Sequence, residues 1–213
     1  GVSMMAPRVH AGPMGFDGSF MSMGELGPDW QDVWLNYAIT PRDAVGVGIA
    51  TMRADEADLP DNRKRKRELA EVTYTRLLAR HNGENSQANA WFMGGVGAVK
   101  GNDFDGQRLI VTPGVQLDYE TRRVYVAGIY RFYRTLDQNA LNHDYGAVRA
   151  GFSFYATEYD QTQPWLILEA RHMAQLSDGV EITPMLRLIH NRFFVEAGAN
   201  LDGKPRLNFM VIF

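Results

Sequence analysis

Arg206-Leu207-Asn208-Phe209-Met210-Val211-Ile212-Phe213 ends the sequence in strict alternation. Leu207, Phe209, Val211 and Phe213 fall on one side, and Arg206, Asn208, Met210 and Ile212 on the other. A period of two specifies a strand with one uniformly apolar face and one mixed face, and excludes a helix over this stretch. Working backward, the same period recurs. Val195, Ala197, Ala199 and Leu201 oppose Glu196, Gly198 and Asn200; Ile182, Leu186 and Leu188 oppose Glu181, Thr183 and Arg187; Leu166, Leu168 and Ala170 oppose Glu169 and Arg171.

Alternation continues toward the start. Val148, Ala150, Phe152 and Phe154 oppose Tyr145, Arg149, Ser153 and Tyr155, while Val124, Val126, Tyr130 and Phe132 oppose Tyr125, Ala127, Arg131 and Tyr133. Val33, Leu35, Tyr37 and Ile39 oppose Asp32, Trp34, Asn36 and Ala38. Turn-forming runs such as Pro41-Arg42-Asp43 and His190-Asn191-Arg192 separate the segments. Counted from Met14, where alternation begins on Phe16 and Phe20 against Met21 and Met23, the pattern predicts 12 strands. Residues 1–13 carry no period and read as an extended arm ahead of a single β-domain over 14–213.

The final strand, with its large alternating apolar residues and terminal Phe213, resembles the closing strand of bacterial outer-membrane β-barrels. In that family the terminal aromatic is read by the insertion machinery. The resemblance implies an all-β fold: a closed antiparallel transmembrane barrel in the outer membrane of a Gram-negative bacterium, with short periplasmic turns and longer outer loops. Composition agrees. No window approaches the roughly 18 apolar residues that a spanning helix requires. Aromatic residues make up 11% of the 213, and the 21 glycines suit tight packing inside a barrel. A soluble sandwich needs a dry core, which the charged second faces rule out. With no cysteine, disulfides, thiolate metal sites and cysteine nucleophiles are excluded, and a net charge of −3 argues against nucleic acid as a partner.

The inward faces supply the first functional candidates. Arg108, Arg131, Arg149, Arg171 and Arg187 stand against Glu71, Asp118, Glu169, Glu181 and Glu196, so the lumen is close to neutral. Inward Trp34, Tyr125, Tyr133 and Tyr155 narrow it further. The expected function is a narrow pore for a small solute or ion, with a non-conducting structural barrel, its interior filled by ion pairs, as an alternative. By the same face assignment a charge at Val111, Phe152 or Val195 is costly and one at Thr112 or Ser153 is cheap.

A second candidate is the sulfur and imidazole set Met4, Met5, His10, Met14, Met21 and Met23. Thioethers and imidazole suit Cu(I), the one cofactor the sequence suggests. The set loosely resembles the methionine- and histidine-rich N-terminal segments of outer-membrane copper-resistance barrels, but lacks their repeated motif. Read plainly, these methionines are flexible packing residues. Enzymatic barrels need a base beside a nucleophile; His143, placed in an outer loop near Asp137 and Asp144, has no neighbouring serine, and an enzyme is not expected. The run Arg63, Lys64, Arg65, Lys66 and Arg67, on an outer loop, either meets lipopolysaccharide phosphates or offsets Asp55, Glu56, Asp58 and Asp61. The pattern leaves the oligomeric state open.

Overall fold

Alternation gives each segment one apolar face and one polar face, and a strand edge with unpaired amides cannot survive in hydrocarbon, so the sheet must close on itself. In the computed structural model, which describes residues 12–53, 64–137, 142–158, 160–174 and 179–213, it does. The strands are β1 (Phe20–Leu26), β2 (Trp30–Ala38), β3 (Asp43–Arg53), β4 (Lys66–Asn82), β5 (Ser86–Gly101), β6 (Arg108–Val111) and β7 (Gly114–Thr121). β8 (Val124–Thr135), β9 (His143–Phe152), β10 (Gln163–Ala174), β11 (Glu181–His190), β12 (Phe193–Ala199) and β13 (Pro205–Ile212) follow. All pairings are antiparallel.

β1 pairs β13 and β4 pairs β5, which completes the ring. β6 and β7 share one place between β5 and β8, two halves of a single strand interrupted at Thr112-Pro113. Proline has no amide to donate there. The ladder continues across the break, since Thr112 N donates to Gly95 O at 3.0 Å and Phe132 N to Pro113 O at 2.8 Å. The result is a closed 12-stranded barrel.

At the seam, Phe213 N donates to Phe20 O at 2.9 Å and Phe20 N to Phe213 O at 2.8 Å, so the terminal aromatic is tied into the ring. Its ring stacks on Phe20 at 5.7 Å, and Phe20 packs on Tyr37 at 4.8 Å, the start of an aromatic girdle at this end. Register carries the outward apolar face around the barrel, as in the row Leu35, Val47, Val72, Val96 and Val111. Along β4 the outward charges fall only at the ends: Lys66 and Glu68 at one rim, Arg76 at the other. From Glu68 to Arg76 the strand runs roughly 26 Å at about 3.3 Å per residue, which a tilt of about 40° turns into a height of about 20 Å, of the order of an outer-membrane apolar band. The end bearing the girdle carries the tight turns, including the β11–β12 turn where Asn191 takes a left-handed φ of 52°. This is the periplasmic end. The strand ends joined by the longer connections, among them Arg53 with Lys66 and Thr135 with His143, lie opposite.

The interior is filled. Trp30, Met52, Leu69, Val99, Ile110, Tyr133 and Met173 cluster at the outer end, and Met14, Ala38, Ala44, Leu77 and Trp91 at the periplasmic end. The strand expected from Met14 starts only at Phe20. Gly12, Pro13 and Met14 are instead buried in the periplasmic mouth, where Asn36 Nδ2 donates to Pro13 O at 2.8 Å. Only glycine fits at position 12, because a Cβ there would stand 2.9 Å from the Trp91 ring. Tyr155, expected inward, lies past the end of β9 and is exposed.

Filling also overturns the expectation that charge is tolerated at Thr112 or Ser153. Both are fully buried: Thr112 Oγ1 donates to Glu71 Oε2 at 2.6 Å, and Ser153 Oγ donates to Pro164 O at 2.7 Å. Arginine is therefore costly on both faces. Val72→Arg, mid-belt, should lose about 2–4 kcal/mol in urea titrations of vesicle-embedded protein. Thr112→Arg should lose at least as much, and wild-type stability for it would show the lumen to be open at that depth.

Candidate functional site

The polar face of each strand from β9 round to β1 contributes to one wall of the lumen. Register sets charges of opposite sign side by side: Arg149 opposite Glu169, Arg171 opposite Glu181, and Arg187 opposite Glu196. Cross-strand neighbours at this separation are the natural partners in a sheet. Arg187 Nε lies 2.9 Å from Glu196 Oε2, Arg149 Nη2 2.6 Å from Glu196 Oε1, and Arg149 Nε 2.8 Å from Glu169 Oε2. Arg206 bonds Glu169 and lies 3.0 Å from Glu25 Oε1; Arg171 bonds Glu25 and lies 3.1 Å from Glu181 Oε1.

These contacts make one ladder: Arg187, Glu196, Arg149, Glu169, Arg206, Glu25, Arg171, Glu181. Its charges alternate strictly. Asn208 Nδ2 donates to Glu196 Oε1 at 3.1 Å, and the Arg187 guanidinium is held between Tyr125 at 4.5 Å and Phe194 at 4.6 Å. Aromatic faces replace the water this cation has lost.

A smaller cluster occupies the other wall. Arg131 Nη2 lies 3.2 Å from Glu71 Oε1 and donates to Thr112 Oγ1 at 2.7 Å. Gly95 makes room for it, since a Cβ there would fall 2.4 Å from Glu71 Oε2. Trp34 Nε1 donates to Thr73 Oγ1 and Trp30 Nε1 to Asp32 Oδ2, both at 2.8 Å. Between the walls lies a cavity of about 200 Å³, lined by ladder groups Glu25, Arg149, Glu169, Glu196 and Arg206 together with Trp30, Trp34, Tyr125, Tyr133 and Tyr145. Pro13 borders it as well. Toward the outer end Tyr133 stacks on His143 at 4.3 Å, with Trp30 edge-on to Tyr133 at 5.6 Å.

The structure places Arg131, Arg149, Glu169, Arg171, Arg187 and Glu196 inside the barrel and ion-paired. Arg108 stands apart at the outer rim, over the Phe104 ring at 5.5 Å and 3.5 Å from Asp137. Two ladder members escaped the sequence reading. Glu25 sits in Gly-Glu-Leu-Gly-Pro, which looks like a turn, although its parity with Met21 and Met23 points inward. Arg206 was visible on the mixed face of the final strand but was not counted with the lumen charges.

Of the sulfur set, Met14, Met21 and Met23 lie within the barrel, while Met4, Met5 and His10 fall outside the described residues. Every methionine among the described residues is inward, and Met23 faces Met210 directly across β1 and β13. Among the described residues no group of three or more His, Asp or Glu side chains is arranged to hold a metal. In the basic run, Arg63 is outside the described residues, Lys64 is exposed and Lys66 faces outward. Arg67 cannot meet lipid phosphate: alternation turns it to the face opposite Lys66, where it is buried with Nη2 3.1 Å from Asp103 Oδ2. His143 likewise is no loop residue, being the buried first residue of β9.

No family model matches the sequence, and no curated protein matches it either. Among solved structures, the KdgM porin superposes with a TM-score of 0.50 over 92% of this chain and 98% of that chain, at 12% identity. The KdgM porin in complex with disordered oligogalacturonate gives the same values. At this identity the likeness is one of fold. The chain has the fold of an outer-membrane β-barrel. Its apolar belt, girdle and closed antiparallel sheet fit a Gram-negative outer membrane.

The ladder makes a stability prediction. Glu196→Ala strands Arg187 in the interior, leaves Arg149 with Glu169 alone, and should cost about 3–5 kcal/mol in urea titrations, as loss of one partner from a buried pair does. Asp137→Ala, at the exposed rim partner of Arg108, should leave the midpoint nearly unchanged.

Proposed function

We propose that the barrel is a narrow passage for small polar solutes of low net charge. The observation that carries this reading is the alternating ladder beside an aromatic-lined cavity. A channel for anions gains selectivity from cations left free to meet the solute, whereas each guanidinium of this ladder already has a carboxylate. Oligogalacturonate, the ligand of the KdgM complex, carries a carboxylate on every sugar and would meet four ladder glutamates on the way through. Uncharged or zwitterionic solutes meet no such opposition, and Trp and Tyr faces offer them apolar contact. Passage depends on the two closed ends, the Gly12–Met14 segment and the outer cluster around Trp30 and Tyr133. No catalytic role is proposed.

The inward methionines support a second reading, transit of a soft cation such as Cu(I), with Met14, Met21 and Met23 joined by Met4, Met5 and His10. For partners, the belt takes membrane lipid, and lipopolysaccharide is the lipid expected at the outer rim.

Planar-bilayer recordings and liposome flux separate these readings. Wild type should conduct weakly, with deletion of residues 1–14 raising conductance and Glu169→Gln shifting selectivity toward anions. Neutral sugars and zwitterions should enter liposomes faster than anions of equal size; the reverse order would overturn the solute class. For the copper reading, Met21→Leu with Met23→Leu should weaken Cu(I) binding. Absence of both conduction and copper binding in every variant would leave a non-conducting structural barrel.

A further inference from the structure

The lipid-facing surface of β2–β6 is not uniform. Register aligns Val33 with Ile49, Ile49 with Ala70, Ala70 with Ala98, and Ala98 with Leu109 in one outward row. Ile49 and Leu109 project into the membrane at 63% and 51% exposure, whereas the two alanines between them end at Cβ. From Ile49 to Leu109 there are three interstrand steps, about 14 Å. The two alanines, adjacent across β4 and β5, thus leave a notch between branched neighbours, wide enough to seat acyl chains side by side. It belongs to a groove of about 530 Å³ that continues upward to Gln31, Glu68, Lys100 and Gln107.

Directly above the notch the register sets Thr51 opposite Glu68 and Glu68 opposite Lys100, then Arg53 opposite Lys66, all outward. Lys66 Nζ lies 3.4 Å and Lys100 Nζ 3.1 Å from the two oxygens of Glu68. Among the described residues at this point of the rim, three cations against one carboxylate leave two positive charges in surplus. At another point of that rim a cation is matched, where outward Arg134 lies 2.6 Å from Asp144 Oδ1. Surplus cations at headgroup height over an apolar notch at chain height are complementary to a phosphorylated, multiply acylated lipid.

We propose that the outward face of β2–β5 binds the lipid A moiety of lipopolysaccharide. Its phosphate lies against Arg53, Lys66 and Lys100, and acyl chains run over Ala70 and Ala98. The position selects this lipid, because the site faces the outer leaflet, at the end opposite the tight turns and the Phe20–Phe213 seam. It is independent of whatever passes through the lumen.

The test uses the whole protein folded into phosphatidylcholine vesicles, with lipid A or with phosphatidylglycerol at equal phosphate, read by native mass spectrometry and thermal unfolding. Wild type should retain lipid A through detergent extraction and gain thermal stability from it. The triple variant Arg53→Gln, Lys66→Gln, Lys100→Gln and the notch-filling Ala70→Leu, Ala98→Leu should each weaken retention at least about tenfold. Both should keep wild-type stability in phosphatidylcholine alone, and Arg134→Gln should retain lipid A as wild type does. Equal retention by wild type and both site variants would overturn the proposal. So would equal stabilisation by phosphatidylglycerol, which would reduce the site to generic surface charge.

Discussion

The constraint on which this barrel depends is the pairing of charge in a confined interior. Every second residue of a closed strand must face inward, and in this barrel packing leaves several of the inward cations almost no access to water. Arg171 and Arg187, each 1% exposed, are among the largest fully buried side chains in the molecule. Isolated, any one of them would cost several kcal/mol to desolvate. The ladder from Arg187 to Glu181 avoids that cost by giving successive charges opposite sign across neighbouring strands. It thereby also fixes register, since a slip of one residue would turn its charges to the lipid.

The outer surface obeys the inverse rule. Residues that would be a liability in water, such as Val72 at 65% exposure and Leu117 at 62%, here contact hydrocarbon. Their strands are held by backbone bonds that leave no edge, down to the paired amides of Phe20 and Phe213. Inside, irregular volumes are filled by methionine, whose unbranched thioether adapts to gaps between aromatic rings and salt-bridged arginines. The packing and soft-cation readings of these methionines rest on the same property, flexible polarizable sulfur.

Alternation made the architecture legible because it is local. Strand count, face assignment and the inward set Arg131, Arg149, Glu169, Arg171, Arg187 and Glu196 all follow from a period of two. What the pattern did not carry was depth and occupancy. Arg67 and Lys66 are adjacent in one basic run, yet one is buried against Asp103 and the other faces outward, a difference that parity predicts only once β4 is known to begin at Lys66. Thr112 has the pattern of a wetted lumen position and is a hydrogen-bonded core residue, because only packing shows that the interior is filled at that depth. Met14 to Ser19 carried an alternation that tertiary context overrode, since Gly12, Pro13 and Met14 gain more from filling the mouth beside Trp91 and Leu77 than from extending β1.

Filling and function are linked through the ends of the barrel. The ladder uses its own charge to satisfy its own charge, so the middle of the lumen holds little net field with which to attract an ion from outside. On the proposed passage, a solute would displace few strong interactions there, whereas at the two mouths it would displace packed residues: Gly12, Pro13 and Met14 below, Trp30, Tyr133 and His143 above. Those mouths differ in kind. The lower one is closed by a short segment ahead of β1, which can leave without breaking the sheet. The upper one is closed by side chains rooted in β2, β8 and β9, which can move only by changing rotamers against their neighbours. If the barrel conducts as proposed, this physical asymmetry puts the easier opening on the periplasmic side, at the segment before Phe20 and not at the charges of the ladder.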